Sequence, residues 1–278
     1  MSGPVLKAER EGPILILTID DPATRNALSP ELTRALVTAC AEANADMSVS
    51  CVILTGAGDV FCAGGNIKDM YARANHFAGN AAEIRRTYQA GVQTIARALY
   101  DLEVPSIAAV NGAAMGAGMD FATMCTMRIA SERAKFAESF IKLGLTSAAG
   151  GAWFLNRAIG ASAAAELALT GDTIDAARAL EIGLVSGVVP HAALLDEARA
   201  LAKRIARHQN GIGYLSLLST NVNTHISKFR VSRYPFPRYL AQYICSMSTT
   251  VNYDFAKYKT PTGTTLQCKG WVQEAALR

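Results

Sequence analysis

Ile107-Ala-Ala-Val-Asn-Gly-Ala-Ala-Met-Gly-Ala-Gly-Met-Asp-Phe-Ala-Thr-Met-Cys125 is the stretch that decides the fold. The apolar run Ile107 to Val110 reads as a buried strand. Asn111-Gly112 turns the chain, and Gly116-Ala117-Gly118 leads into a segment able to run as a helix. Small residues let a substrate lie against bare backbone. A helix beginning here leaves its first N–H groups without partners, and its dipole suits a developing negative charge. Asp120, the only carboxylate of the segment, stands one turn in. A plainer reading of the same residues is tight helix–strand packing, with Asp120 complementing a helix N-terminus.

Val52-Ile-Leu-Thr-Gly56 followed by Phe61-Cys-Ala-Gly-Gly-Asn-Ile-Lys-Asp-Met70 repeats the pattern: buried strand, glycine-rich turn, helix. Two such turns can each aim one amide at a single oxygen. An oxyanion hole of this kind contributes ~3 kcal/mol per donor to a transition state.

The pair F-C-A-G-G-N-I-K-D-M and A-A-V-N-G-A-A-M-G-A-G-M-D resembles the crotonase superfamily, the enoyl-CoA hydratases and isomerases. Asp21-Pro-Ala-Thr-Arg-Asn-Ala-Leu28 and the stretch from Thr170 to Pro190 are similar to the same family, and the matches keep family order from about residue 10 to about residue 207. The resemblance implies an α/β fold, a spiral of repeated strand–turn–helix units with a helical C-terminal region that drives trimer or hexamer assembly. It implies a core over residues 1–207 and a divergent helical, oligomerising region over 208–278. It also implies an acyl-CoA substrate, with coenzyme A as part of the substrate and no separate cofactor.

Carried onto these residues, the resemblance puts the oxyanion donors on the backbone N–H groups of Gly65 and Ala117. Ala117 stands where Gly is usual, which a backbone donor tolerates if its φ is negative. It sets Arg25 near the phosphates, with Ala27, Ala63, Gly65, Asn66, Ile67 and Lys68 along the pantetheine and adenine. Lys68 reads equally well as a solvated helix residue. Hydratases of the family hold one water between two glutamates. The first falls on Asp120, one methylene shorter. The second, counted back from Gly144, falls on Phe140, which cannot exchange protons but can shape the acyl pocket. The loop Thr146-Ser-Ala-Ala-Gly-Gly151 carries no acid.

Glu138 is the nearby substitute. If its segment is extended, Glu138 and Phe140 point to one side. The favoured alternative for Glu138 is a carboxylate paired with Arg or Lys at the surface or a subunit contact. Asp120 is the expected acid/base group, tuned by partial burial. His76, in a loop over the site, is expected to be solvated rather than catalytic. Cys62 lacks a His or Asp partner in pattern and reads as a buried thiol rather than a nucleophile.

Composition bounds the rest. The chain has 278 residues, half of them apolar, a net charge of +4 and six cysteines. That is a folded chain with one core and an appendage. The charge is too mild to imply nucleic acid, though it suits an anionic ligand. No pair of cysteines is spaced C-x-x-C and no metal site is expected; the thiols point to a reducing, cytoplasmic setting. The first ten residues lack the apolar core of a signal peptide. Asn111 and Asp120 interrupt the Ala/Gly-rich stretch, which excludes it as a membrane span.

Along the chain, Glu11-Gly12-Pro13 predicts a hairpin within Val5 to Asp20. Ser29-Pro30 predicts a helix start, with Leu32, Ala35, Leu36, Ala39 and Cys40 on one face. Met70 to Ala82 reads as a loop and Glu83 to Leu102 as one long helix striped by Ile84, Tyr88, Val92, Ile95 and Leu99. Short strands are expected at Met127–Ala130, Ala134–Phe136 and Leu184–Val189. Helices are expected near Ala152–Ile159, Ser162–Leu169, Asp175–Ile182 and Ala192–His208.

Two functions of different classes are consistent with this pattern. One is an enoyl-CoA hydratase-like enzyme, with an isomerase or another enolate reaction as its variant. The other is a catalytically weak CoA- or RNA-binding homologue, for which the basic and aromatic run Lys228 to Tyr239, with Arg230, Arg233 and Arg238, is the natural footprint. Nucleic acid is the less favoured partner.

Overall fold

β1 (Leu6–Glu11) and β2 (Ile14–Ile19) form the expected antiparallel hairpin. The computed structural model describes residues 4–147 and 149–207. The residues up to Arg207 cluster into one compact unit. The region expected to be helical and oligomerising after residue 207, with its basic-aromatic run, Cys245 and Cys268, lies outside the described residues.

After the hairpin come β3 (Ala27–Leu28) and α1 (Pro30–Ala45). Ser29 caps α1, accepting a hydrogen bond from the Leu32 amide, with Pro30 in the first turn as the sequence predicts. β4 (Cys51–Gly56), β5 (Val60–Cys62) and β6 (Gly64–Gly65) lead into α2 (Ile67–Ala72). α3 (Ala81–Ala90) and α4 (Val92–Tyr100) precede β7 (Ser106–Val110), β8 (Ala113–Met115) and α5 (Ala117–Met124). β9 (Met127–Ser131) and β10 (Lys135–Ala137) follow, then α6 (Gly151–Ile159) and α7 (Ala161–Thr170). β11 (Ile174–Asp175), α8 (Ala176–Glu181), β12 (Val188–Val189) and α9 (Leu194–Arg207) complete the described chain.

The spiral is visible in the pairing. β4, β7 and β9 lie parallel in a six-stranded sheet of order β1-β2-β4-β7-β9-β12. Their continuations β5, β8 and β10 lie parallel in a four-stranded sheet of order β11-β10-β8-β5. Each coil therefore supplies one strand to each sheet and turns a corner between them. Alternate residues of the central strands fill two cores. Val52, Leu54, Ala108 and Val110 face the core shared with α1 and α4. Cys51, Ile53, Ile107 and Ala109 face Leu194, Ala198 and Ala202 of α9. Strands buried on both faces read as continuous apolar runs, which is how these were found.

Two expectations fail between residues 70 and 102, for local reasons. Met70 to Ala82 holds the end of α2, a 3-10 turn over Asn75–Phe77 and the start of α3, joined by short irregular segments. Asn80, read as part of the loop, forms a capping box with Glu83 and is the start of α3. The single helix expected from Glu83 to Leu102 breaks at Gly91, whose backbone (φ −111°, ψ −104°) is not helical. Strand Leu184–Val189 shortens to β12. No helix among the described residues is long and apolar enough to cross a membrane.

Candidate active site

Two glycine-lined bends meet at the start of α5. The parallel pairing of β5 with β8 sets Cys62 beside Ala114. It brings the bend after Cys62 against the bend after Met115. A Cβ on Gly64 would stand 2.3 Å from the Met115 carbonyl oxygen and 3.3 Å from the Ala117 nitrogen. A Cβ on Gly118 would stand 2.2 Å from the Cys62 carbonyl oxygen. Main chain thus touches main chain at both places, and only glycine leaves the room. Ala117 is the first residue of α5, so its N–H has no acceptor within the helix. Its φ is not positive, which is the condition that alanine needs there.

The first motif joins the same corner. β3 pairs with β6, Ala27 beside Gly64 and Leu28 beside Gly65, and the Ala63 amide donates to the Arg25 carbonyl at 3.2 Å. Arg25 itself is exposed in a left-handed turn (φ 61°). Asn66, Ile67 and Lys68 form the start of α2. Asn66 accepts from the amides of Lys68 and Asp69, while Ile67 and Lys68 are exposed. Arg25, Ala27, Ala63 and Gly65 are therefore brought together, with Asn66 to Lys68 continuing outward along one rim. The Met70 methyl and the Phe77 ring lie over Gly65.

The sequence reading did not single out Asn26, which fixes this corner. Fully buried, it donates to the Val60 carbonyl at 2.7 Å and accepts from the Asp21 amide at 2.9 Å. Its left-handed φ of 59° is one that asparagine tolerates. The signal was there: a lone amide between Arg25 and the apolar pair Ala27-Leu28.

Register also places the acids. β8 and β10 are parallel, with Met115 beside Ala137, and the Gly116 amide donates to the Ala137 carbonyl at 2.8 Å. Glu138 thus emerges opposite Gly116, and Asp120 lies one turn further along α5. Asp120 is 0 % exposed and Glu138 2 %. Each carboxyl acts on the ionisation of the other, so the two stand close together. Two expectations are corrected here. Glu138 is no surface carboxylate with a basic partner, because the strand register turns it inward. It also does not share a side with Phe140 by strand alternation, since it caps a 3-10 turn over Ser139–Leu143. Asp120, expected to be partly buried, is wholly so.

Burial pushes Asp120 up to about 6; contacts with Glu138, Ser147 and the amides of Gly151 and Ala149 oppose that rise. Burial pushes Glu138 further, to about 9, and the Asp120 charge and hydrogen bond add to it. The side-chain donor in good geometry is Ser147, whose Oγ donates to Asp120 Oδ2 at 3.1 Å. Asp120 Oδ1 and Glu138 Oε1 have no such donor. A proton shared between the carboxyls satisfies buried oxygens of this kind. Two carboxyls, one proton and one charge can both accept and donate.

Phe140 packs its ring on the bend, 3.5 Å and 3.6 Å from where a Cβ on Gly116 would be. His76 is 5 % exposed rather than solvated, packed against Gly91, with Nε2 lacking a partner among the described residues. Cys62 is fully buried, accepts from the Gly64 amide at 3.4 Å, and burial pushes its thiol up to about 12; it is no nucleophile. No group of three metal-ligating side chains occurs among the described residues.

The chain is similar to known proteins over most of its length. The sequence profile of the enoyl-CoA hydratase/isomerase family matches residues 9–234. A probable enoyl-CoA hydratase, echA8, of Mycobacterium tuberculosis is 38% identical over 207 residues, 74% of this chain and 77% of its own. The 2,3-dehydroadipyl-CoA hydratase of Escherichia coli is 36% identical over 203 residues, 73% of this chain and 76% of its own. Among solved structures, the Bacillus anthracis enoyl-CoA hydratase superposes with a TM-score of 0.72 at 30% identity, covering 78% of this chain and 82% of that one.

Proposed function

The chain belongs to the enoyl-CoA hydratase/isomerase family and is an enoyl-CoA hydratase-like enzyme, and we propose that Asp120 and Glu138 together perform its proton transfers. The observation that supports this is the buried carboxyl pair beside the first turn of α5. The substrate is an acyl-CoA thioester. Its carbonyl oxygen is received by the amides of Gly65 and Ala117, while Arg25, Ala27, Ala63, Asn66, Ile67 and Lys68 line the coenzyme A path and Phe140 bounds the acyl group.

In the hydration direction, the Asp120 carboxylate takes a proton from water as the water oxygen bonds to the β-carbon. The double-bond electrons move through the α-carbon onto the thioester oxygen, where amides stabilise them. The enolate then returns its electrons, and the α-carbon takes the proton of Glu138. Water has been added, Asp120 holds a proton and Glu138 a charge. Transfer along the carboxyl–carboxyl hydrogen bond restores the starting state. Turnover of crotonyl-CoA, abolished in Asp120→Ala, is the test; full turnover by that variant refutes the assignment.

A double-bond shift is the second reading. Phe140 favours it, because the position of the family's second glutamate lacks a carboxyl. Supplying a 3-enoyl-CoA and following the 2-enoyl product separates the two reactions. Assembly as a trimer or hexamer in a reducing, cytoplasmic setting completes the proposal, supported by the family resemblance and by four buried free thiols among the described residues. Light scattering on the full chain tests the assembly.

A further inference from the structure

Asp120 faces a loop that carries no acid of its own. Ser147 donates from this loop to Asp120 Oδ2 at 3.1 Å. The other oxygen, Oδ1, lies against Gly151 so closely that a Cβ there would stand 1.7 Å from it, and 2.7 Å from Ser147 Oγ. Gly151 opens α6, whose cap residue Gly150 has no side chain to offer and sits at φ 92°. The carboxylate of Asp120 is therefore held between one hydroxyl and one helix start. Glu138 is the only titratable side chain acting on Asp120 among the described residues.

The two carboxyls are chemically alike, so something must decide which of them keeps the proton. A hydroxyl donor favours the charged form of the group that it touches. Ser147 touches Asp120 and has no recorded bond to Glu138. We propose that Ser147 is a positioning residue, which fixes the Asp120 carboxylate in its rotamer and leaves the shared proton on Glu138. This rests on the reading of the pair as the acid and base of the reaction. In that reading Ser147 assigns the roles: Asp120 the base, Glu138 the acid.

The test compares Ser147→Ala, Ser147→Thr and Asp120→Asn in the full-length enzyme with crotonyl-CoA, reading kcat and KM from pH 5 to 10. Loss of a hydrogen bond to a charged group corresponds to roughly tenfold or more in rate. Ser147→Ala is expected to lower kcat by about that factor with KM little changed, and to move the acidic limb of the profile to higher pH. Ser147→Thr is expected to restore both. An unmoved acidic limb in Ser147→Ala, with Asp120→Asn inactive, overturns the role of Ser147 and leaves the pair standing. Full activity in Asp120→Asn overturns both. Should Ser147→Ala fail to fold, Ser147→Cys, a weaker donor of similar size, is expected to shift the same limb; an unshifted limb there is equally decisive.

Discussion

Asp120 and Glu138 are both buried out of reach of solvent and each acts on the ionisation of the other, one from the first turn of α5 and the other from the residue after β10. They are distant in sequence and adjacent only because β8 and β10 run parallel in register. Most consequences for activity and stability follow from that contact.

Removing either acid should abolish most turnover while leaving the fold. Asp120→Asn and Glu138→Gln are each expected to lower kcat by about 10²–10⁴, the usual contribution of a positioned acid or base. Circular dichroism should remain native. Near-normal rates in Glu138→Gln would assign the α-carbon proton to another donor.

Stability should fall as pH rises. Folding raises both carboxyl values, to about 6 and about 9. The native state therefore binds more protons than the unfolded chain from about pH 4 to 9, where unfolded carboxyls have already ionised. The unfolding free energy is expected to drop from about pH 4 to about pH 9, most steeply below about pH 6 where both groups contribute, by an amount on the order of several kcal/mol. Glu138→Gln should flatten that slope and stabilise the protein at the alkaline end. Urea titrations of both proteins at several pH values provide the check.

Much of the fold was legible. Apolar runs ending in Gly-rich bends identified β4 and β7, and Ser29-Pro30 marked the start of α1. The pairing of Glu138 with Asp120 was not, because a lone carboxylate between Ala137 and Ser139 gives no local sign of burial; its partner comes through sheet register. Ser147 carries no local sign of its role either, in a loop without acids. Gly91 was missed since the stripe Tyr88, Val92, Ile95, Leu99 runs on through it. The Asn80 cap shows how the same polar residue can read as loop or as helix start.

Substituting glycine should be costly in one place and harmless in another. Gly118→Ala would force a methyl to 2.2 Å from the Cys62 carbonyl oxygen. The expected loss is about 1–3 kcal/mol or more, from overpacking against rigid backbone. Gly187→Ala meets nothing within 4 Å and needs no positive φ, so its effect should stay within about 0.5 kcal/mol. Thermal melts of both variants test the contrast.

Trimming Phe140 should change which acyl groups are accepted. Phe140→Ala exposes the bend at Gly116 that the ring now covers. We expect kcat/KM to rise for branched or cyclic acyl groups relative to crotonyl-CoA, by about 10-fold or more, in line with hydrophobic pocket contacts of a few methylenes. An unchanged ranking across an acyl series would place the ring outside the acyl path.

Native Cys62 should resist alkylation. Its thiol is fully buried and its ionisation is pushed up to about 12, so iodoacetamide at pH 8 should label it only after unfolding. Mass spectrometry of native and denatured samples distinguishes the two.

The contact between Gly118 and the Cys62 carbonyl has a last implication. The gap separating the bends is gauged by peptide atoms alone, which are the same whatever side chains the chain carries. Drift elsewhere in the sequence can reshape the acyl cavity or retune the acids without altering that gauge, so the least variable dimension of the enzyme is written in atoms that mutation does not edit.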